Sequence, residues 1–312
     1  ASTGIKFGTV TVLSEAPVEV TTFRKDGPYC DRRRPTNVTF SPRILDDLAR
    51  RDFTINAIAY SPIRGLYDPF LGQIDLQNRV IKTVGKPQKR FQEDALRILR
   101  GIRFCSSLGS DWSLESATAK AMKSQANLLH FISKERITEE FSKLLMGIAP
   151  TRGLKELSLI AKEAFGYKLI IPDKLEEFPL RKELRLSLVL QDNPWLFDKL
   201  TLSRQKLNHI NKVLTNYPLP KTTTELRHLC FHVGREYLDD WLILRGLTPQ
   251  AKALAKTPIF PHDLAISGSD IIKVKGKGPI VGKTLNKLAF YVRENPNLNT
   301  REELLKLLLR EP

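Results

Sequence analysis

The feature that most restricts the fold is a change of hydrophobic period part-way along the chain. Residues 7–13 (Phe-Gly-Thr-Val-Thr-Val-Leu) and 17–23 (Pro-Val-Glu-Val-Thr-Thr-Phe) alternate and are rich in β-branched side chains. That pattern predicts two strands, with the hairpin turn at Ser14–Ala16. Polar residues 24–37, with Gly, two Pro and five Arg or Lys, read as a mobile loop. Residues 43–60 read as a helix whose apolar side is Leu45, Leu48, Phe53 and Ile55. Turns at Tyr67-Asp68-Pro69 and Leu71-Gly72-Gln73 lead to a short strand at Val80–Val84.

From about Gln88 the period is helical, as Phe91, Leu96, Ile98, Leu99, Ile102 and Phe104 mark it. Ser113–Met122, Lys134–Met146 and Thr151–Phe165 predict further helices. Between 168 and 245 helices are divided by Pro172, Pro179, Pro194 and Pro218/Pro220, with a start at Thr224-Glu225-Leu226. Pro258 and Pro261 divide the last region, and Asn299-Thr300-Arg301-Glu302-Glu303 opens a final amphipathic helix through Arg310. The class is α+β: a small β-containing head followed by a helical remainder.

The length, 312 residues, suits two or three domains, and 41% hydrophobic with 27% charged residues excludes disorder of the whole chain. No apolar run reaches 18 residues, and the first residues lack a charged-then-apolar leader. Cys30, Cys105 and Cys230 are odd in number and widely spaced, which argues against a disulfide framework. A cytoplasmic protein without membrane partners is expected.

Charge points to the partner. The net charge is +16 with a pI near 9.8, and such a surface attracts polyanions, nucleic acid above all. The excess is uneven: net +7 in residues 1–150, +1 in 151–200 and +8 in 201–312.

Two constellations carry chemistry. In the first, Asp46-Asp47-Leu48-Ala49-Arg50-Arg51-Asp52-Phe53-Thr54-Ile55-Asn56-Ala57, arginine can grip phosphate bidentately and aspartate can accept from ribose hydroxyls. A solvated face with local ion pairs is the alternative. In the second, Glu93-Asp94-Ala95-Leu96-Arg97-Ile98-Leu99-Arg100, Asp94 and Arg97 are spaced to share a helix face. They are either an intrahelical salt bridge or a base-reading edge. As a reading edge, the carboxylate accepts from an exocyclic amine and the guanidinium donates to ring acceptors. Cytosine and adenine fit; uracil and guanine put a carbonyl against the carboxylate.

These residues resemble the motifs of class II tRNA nucleotidyltransferases, the CCA-adding enzymes. Arg50-Arg51-Asp52 through Ala57 looks like their ribose and triphosphate motif, and Glu93-Asp94-x-x-Arg97 like their amino-acid template for CTP and ATP. Gly65-Leu66-Tyr67-Asp68-Pro69 with Gly72-x-x-Asp75-Leu76 is similar to the springy element between them. Thr22-Phe23-Arg24-Lys25-Asp26-Gly27-x-Tyr29-x-Asp31-x-Arg33 resembles the flexible loop, and Glu135-Arg136-Ile137-x-x-Glu140-Phe141 the neck motif that supports the template. The five stand in order within residues 4–147.

The resemblance implies nucleotidyl transfer to the tRNA 3′ hydroxyl, with CTP and ATP as substrates and Mg²⁺ as cofactor. Arg51 would hold the triphosphate, Asp52 the ribose 2′ hydroxyl, and Asp94 with Arg97 the base. Asn56 and Arg100 belong to the same nucleotide site. Asp26, Tyr29, Asp31 and Arg33 imply A addition, since family members that add only CC lack the loop. The implied architecture is a truncated nucleotidyltransferase β-sheet head (1–84), a neck with the template helix (85–150), a helical body (151–235) and a helical tail that binds tRNA (236–312). The family's Asp-x-Asp metal motif lies upstream of the segment with which this sequence begins, and no Asp-x-Asp occurs in it. A head segment missing here, on a separate chain or otherwise, is therefore expected, and Glu19 matches a supporting third carboxylate. The rivals are an A-adding enzyme that completes a CC end, a bacterial poly(A) polymerase, and a non-catalytic RNA-binding fragment.

The tail holds a second RNA candidate. Lys273, Lys275, Lys277 and Lys283 flank a Gly-rich turn in a stretch, 241–290, with eight basic and two acidic residues. Such a turn suits tRNA backbone contact. His228-x-x-x-His232 has metal-like spacing without a third ligand nearby, so a structural role is expected. Cys105 and Cys230 read as core, and Trp112, Trp195 and Trp241 as packing anchors.

Overall fold

The structure, a computed structural model, describes residues 8–13, 15–28 and 35–310. It divides into two units, Ala1–Leu202 and Ser203–Pro312.

The first unit opens with antiparallel β1 (Thr9–Val12) and β2 (Val18–Thr21), Val10 opposite Val20 and Thr11 opposite Glu19. This is the hairpin that the alternation predicts. The polar segment after it is not all loop: β3 (Arg24–Asp26) pairs antiparallel with β4 (Val38–Phe40). Polarity hid the ribbon, since no residue of either strand is fully buried.

The helix expected over 43–60 is also shorter. α1 runs only Ile44–Ala49, followed by a 3-10 turn at Thr54–Asn56. Tertiary bonds pull the chain out of the helix. Thr54 N–H donates to Lys82 O (2.9 Å), Val84 N–H to Asp52 O (3.0 Å), and Phe53 bridges Thr83. Phe53 is thereby fully buried, whereas Leu45 faces solvent.

β5 (Ala59–Ser61) and β6 (Gly65–Tyr67) form a hairpin that leads into α2 (Gly72–Gln77). Asp68 accepts from the Gly72 and Gln73 N–H groups, both at 2.8 Å, and so caps the exposed donors of α2. Position 72 must be glycine: a Cβ there would stand 2.2 Å from Thr54 O. β7 (Val80–Ile81) is shorter than Val80–Val84 because its parallel partner β8 (Ser113–Leu114) offers only two residues.

Between them lie α3 (Pro87–Glu93) and α4 (Leu96–Ser107). α5 (Ser116–Ser124), α6 (Lys134–Leu145), α7 (Pro150–Ser158), α8 (Ala161–Phe165) and α9 (Lys182–Asp192) complete the unit. α7 and α8 divide at Leu159–Ile160 what the sequence reads as one helix. α4 is the core helix, packed against α6 and α7. Ile98, Leu145 and Leu154 are fully buried there, each stabilising by about 1.5–3 kcal/mol.

The second unit holds α10 (Arg204–Leu214), α11 (Thr223–Val233), α12 (Leu238–Leu244), α13 (Gly268–Lys275), α14 (Pro279–Glu294) and α15 (Arg301–Arg310). Two clusters of buried apolar residues lie in it, one centred on Trp241 and Cys230, the other on Ile271, Leu288 and Leu304. Thr222 caps α11 by accepting from Glu225 N–H (3.1 Å), and Thr300 does so for α15 through Glu303 N–H (3.3 Å).

Candidate functional site

The site starts where α1 ends. Arg50 folds back on Asp47 (2.7 Å), and Arg51, 46% exposed, reaches Asn56 O (3.2 Å) and Asp47 (3.4 Å). Asp52 turns inward beneath them. Its Oδ1 accepts from Phe53 N–H (2.9 Å) and Asn56 Nδ2 (3.2 Å), and its Oδ2 pairs with Arg100 Nε at 2.5 Å. Burial would raise this carboxyl, but Arg100, Asn56 and the Phe53 N–H outweigh burial and hold it below the usual carboxylate range. Asn56 therefore acts first on Asp52, fixing its plane.

Asp94 and Arg97 do not share a helix face. The helix breaks at Asp94, whose backbone is extended at φ −145 and ψ 104. The reason is local: Asp94 Oδ1 accepts from Leu96 N–H (3.1 Å), an Asx turn that restarts the chain as α4. Its Oδ2 accepts from Arg136 Nη2 of α6 at 2.8 Å. Arg97 pairs with Glu93 instead (2.8 Å). Thus Asp94 and Arg97 are positioned separately, yet both line one cavity.

That cavity, of about 600 Å³, is lined by Arg50, Arg51, Arg97, Arg100 and Arg136 with Asp52 and Asp94, and by Asn56, Leu96 and Phe104. Five guanidinium groups against two carboxylates favour an anionic ligand. The two carboxylates remain able to accept from neutral donors, since each oxygen has more than one lone-pair position. Phe104 supplies an apolar wall, fixed by Arg103 over its face (4.2 Å) and Phe53 edge-on (5.5 Å).

The other residues singled out from the sequence lie elsewhere. Glu19 is exposed on β2 opposite Thr11. Asp26 sits at the end of β3, paired with Arg24 (3.2 Å) and 3.9 Å from Arg50 Nη1. Tyr29, Asp31 and Arg33 lie outside the described residues. Lys273, Lys277 and Lys283 are exposed and Lys275 half-buried around the α13–α14 turn, where Gly276 (φ 78) and Gly278 (φ 126) take conformations that favour glycine. His228 bonds Glu294 (2.6 Å) and His232 stacks on Tyr217 (5.6 Å), both structural contacts. Trp241 is fully buried, whereas Trp195 is half-buried and stacks on Tyr167 (5.3 Å). The described residues by themselves do not make a site for Mg²⁺: among them no three His, Cys, Asp or Glu converge as metal ligands.

The chain is similar to proteins whose activity is known. Residues 1–82 match the family model of the poly A polymerase head domain, and residues 111–158 that of a probable RNA- and SrmB-binding site of polymerase A. A CCA-adding enzyme of Listeria monocytogenes is 35% identical, over 98% of this chain and 83% of the relative. The chain belongs to the CCA-adding enzyme family. A CCA-adding enzyme of Streptococcus suis is 32% identical over 97% of this chain and 81% of its own. The crystal structure of the Bacillus stearothermophilus CCA-adding enzyme in complex with CTP superposes with a TM-score of 0.81 at 31% identity, covering 99% of this chain and 82% of that one. As a CCA-adding enzyme it is a tRNA nucleotidyltransferase of mixed, mostly helical fold. Among the described residues no helix is long and apolar enough to cross a membrane.

Four lining residues lie outside the nucleotide-binding set expected from the sequence: Arg50 and Arg136, read there only as members of the phosphate and neck motifs, and Leu96 and Phe104. Phe104 carried a signal: it lies seven residues after Arg97, two helical turns on along the same stripe.

Proposed function

We propose that this enzyme adds C, C and A to the 3′ end of tRNA with CTP and ATP, selecting the base with its own side chains. The 3′ hydroxyl oxygen bonds to the α-phosphorus, and the bond to pyrophosphate breaks. The observation that carries the reading is the cavity itself: Asp94 and Arg97 line the same space as Arg51 and Asp52. A nucleotide held there through its phosphates on Arg51 and its 2′ hydroxyl on Asp52 presents its base to Asp94 and Arg97. Asp94, its carboxylate oriented by Arg136 (2.8 Å), accepts from the exocyclic amine of cytosine or adenine. Uracil and guanine offer a carbonyl there, which leaves a lone pair facing a lone pair. Arg100 secures Asp52. Asp26, Tyr29, Asp31 and Arg33 belong to the loop that accompanies A addition.

The same reading divides the chain into head, neck, body and tail at 84, 150 and 235. It gives Lys273, Lys275, Lys277 and Lys283 the tRNA backbone, Mg²⁺ the place of the divalent ion, Glu19 a supporting carboxylate, and the cytoplasm as the place of work. No step is assigned to the ion through the residues described.

Incorporation of labelled CTP and ATP into tRNA without its CCA end tests the reading. Addition of C, C and A supports it. Labelling only of tRNA that already ends in CC makes the enzyme A-adding. Binding of tRNA with no incorporation on either substrate contradicts catalysis by this chain alone.

A further inference from the structure

Arg97 is held by two residues that do not line the cavity, Arg90 and Glu93, and by the backbone carbonyl of Arg50, which does line it. Arg97 Nη1 donates to Glu93 Oε2 (2.8 Å) and to Arg90 O (3.1 Å), and its Nη2 to Arg50 O (2.8 Å). Those bonds use three of the five N–H donors of a guanidinium. Nε–H and one Nη2–H are left for a ligand in the cavity that Arg97 lines. Glu93 in turn is shared: its Oε1 accepts from Arg90 Nη2 (2.6 Å), whose Nη1 donates to Ala49 O (3.0 Å). Side-chain exposures of 12%, 14% and 10% for Arg90, Glu93 and Arg97 keep water from substituting for these bonds.

We propose that Arg90 and Glu93 are positioning residues for base selection, a latch that ties the α3–α4 break to the carbonyl end of α1 and so fixes which edge of Arg97 meets the base. This rests on the reading that Asp94 and Arg97 face the base. The carbonyls that anchor the latch, Ala49 and Arg50, immediately precede Arg51 and Asp52. The latch thus sets the base-reading edge in register with the groups that hold phosphate and ribose. The Arg90 side chain acts on Arg97 through Glu93: without it a glutamate with three rotatable bonds loses one of its two arginine anchors, and Arg97 loses its fixed edge.

Equilibrium dialysis of CTP, ATP, UTP and GTP against the full chain, without RNA, tests the latch in E93A, E93Q, R90M and D94A, with thermal unfolding of each. E93A and R90M are expected to lower the preference for CTP over UTP about tenfold, the scale of one well-made bidentate contact. E93Q falls between them and the parent, since its single amide oxygen meets two arginines. A merely structural role would weaken all four nucleotides alike and leave the ratio unchanged, which overturns the proposal. If D94A loses the preference while E93A and R90M keep it, the latch is wrong and the base-reading assignment stands. If D94A keeps it, that assignment falls and takes the latch with it. Should R90M or E93A not fold, E93Q decides: an unchanged ratio in E93Q overturns the latch.

Discussion

The arginine-lined cavity of the first unit and the lysine-bearing turn of the second have the same sign of charge and are built in opposite ways. In the cavity, Arg97 and Arg100 are bonded to carboxylates and carbonyls of neighbouring segments, and Arg97 is only 8% exposed. At the α13–α14 turn, Lys273, Lys277 and Lys283 stand in solvent on a backbone bent through Gly276 and Gly278. A guanidinium bonded on one edge presents the other in a fixed direction, which suits discrimination between similar ligands. A solvated ammonium attracts any phosphate at low cost and gives affinity without sequence information. The comparison predicts that cavity variants change stability and selectivity, whereas turn variants change salt dependence.

The largest effect is expected for Asp52→Ala. It strands Arg100 and removes the acceptor for Phe53 N–H and Asn56. Urea unfolding should show a loss of about 2 kcal/mol, less than a fully buried pair because Arg100 is one-third exposed. A loss below the error of the measurement would break the contrast. Next, the triple variant K273A/K277A/K283A should lower the slope of log tRNA affinity against log salt by about 2, at roughly 0.7–0.9 for each phosphate that is no longer neutralised. Its preference among nucleotides should not move; a change there would place the turn in nucleotide selection.

A smaller effect follows from Asp52 by titration. Its carboxyl is held low in the folded protein, so its contribution is fully present above the unfolded value of about 3.9 and is lost as pH falls through the lower folded value. The stability difference between the parent and Asp52→Asn should therefore shrink as pH is lowered below about 4. A constant difference would contradict the pairing. The smallest effect concerns the thiols. Burial pushes Cys105 up to about 12 and Cys230 up to about 11, so neither should alkylate at pH 8 until the chain unfolds. Prompt labelling of either in the folded protein would contradict their place in the core.

Much of this was legible in the sequence for physical reasons. Regular periodicity survives where a helix buries one face against many neighbours, as α4 does, and the Thr222 and Thr300 caps sit beside the starts that polarity marks. Residues 50–57 were not legible as structure, although they were as a motif. Their local pattern is helical, but bonds to Lys82 and Val84, some thirty residues away, decide the conformation. The Asp94 break was hidden likewise, because a three-residue spacing cannot show that an aspartate will accept from Leu96 N–H and end one helix to start the next. The β3–β4 ribbon is too short and polar to alternate visibly.

The central claim is that Asp94 and Arg97 in this cavity read the base. Its most direct test is the affinity of the full chain for CTP, ATP, UTP and GTP without RNA, measured for the parent and for Asp94→Ala. The account predicts CTP and ATP bound about tenfold or more above UTP and GTP, and four near-equal affinities once the carboxylate is gone. Equal affinities in the parent, or a preference that survives Asp94→Ala, would contradict it.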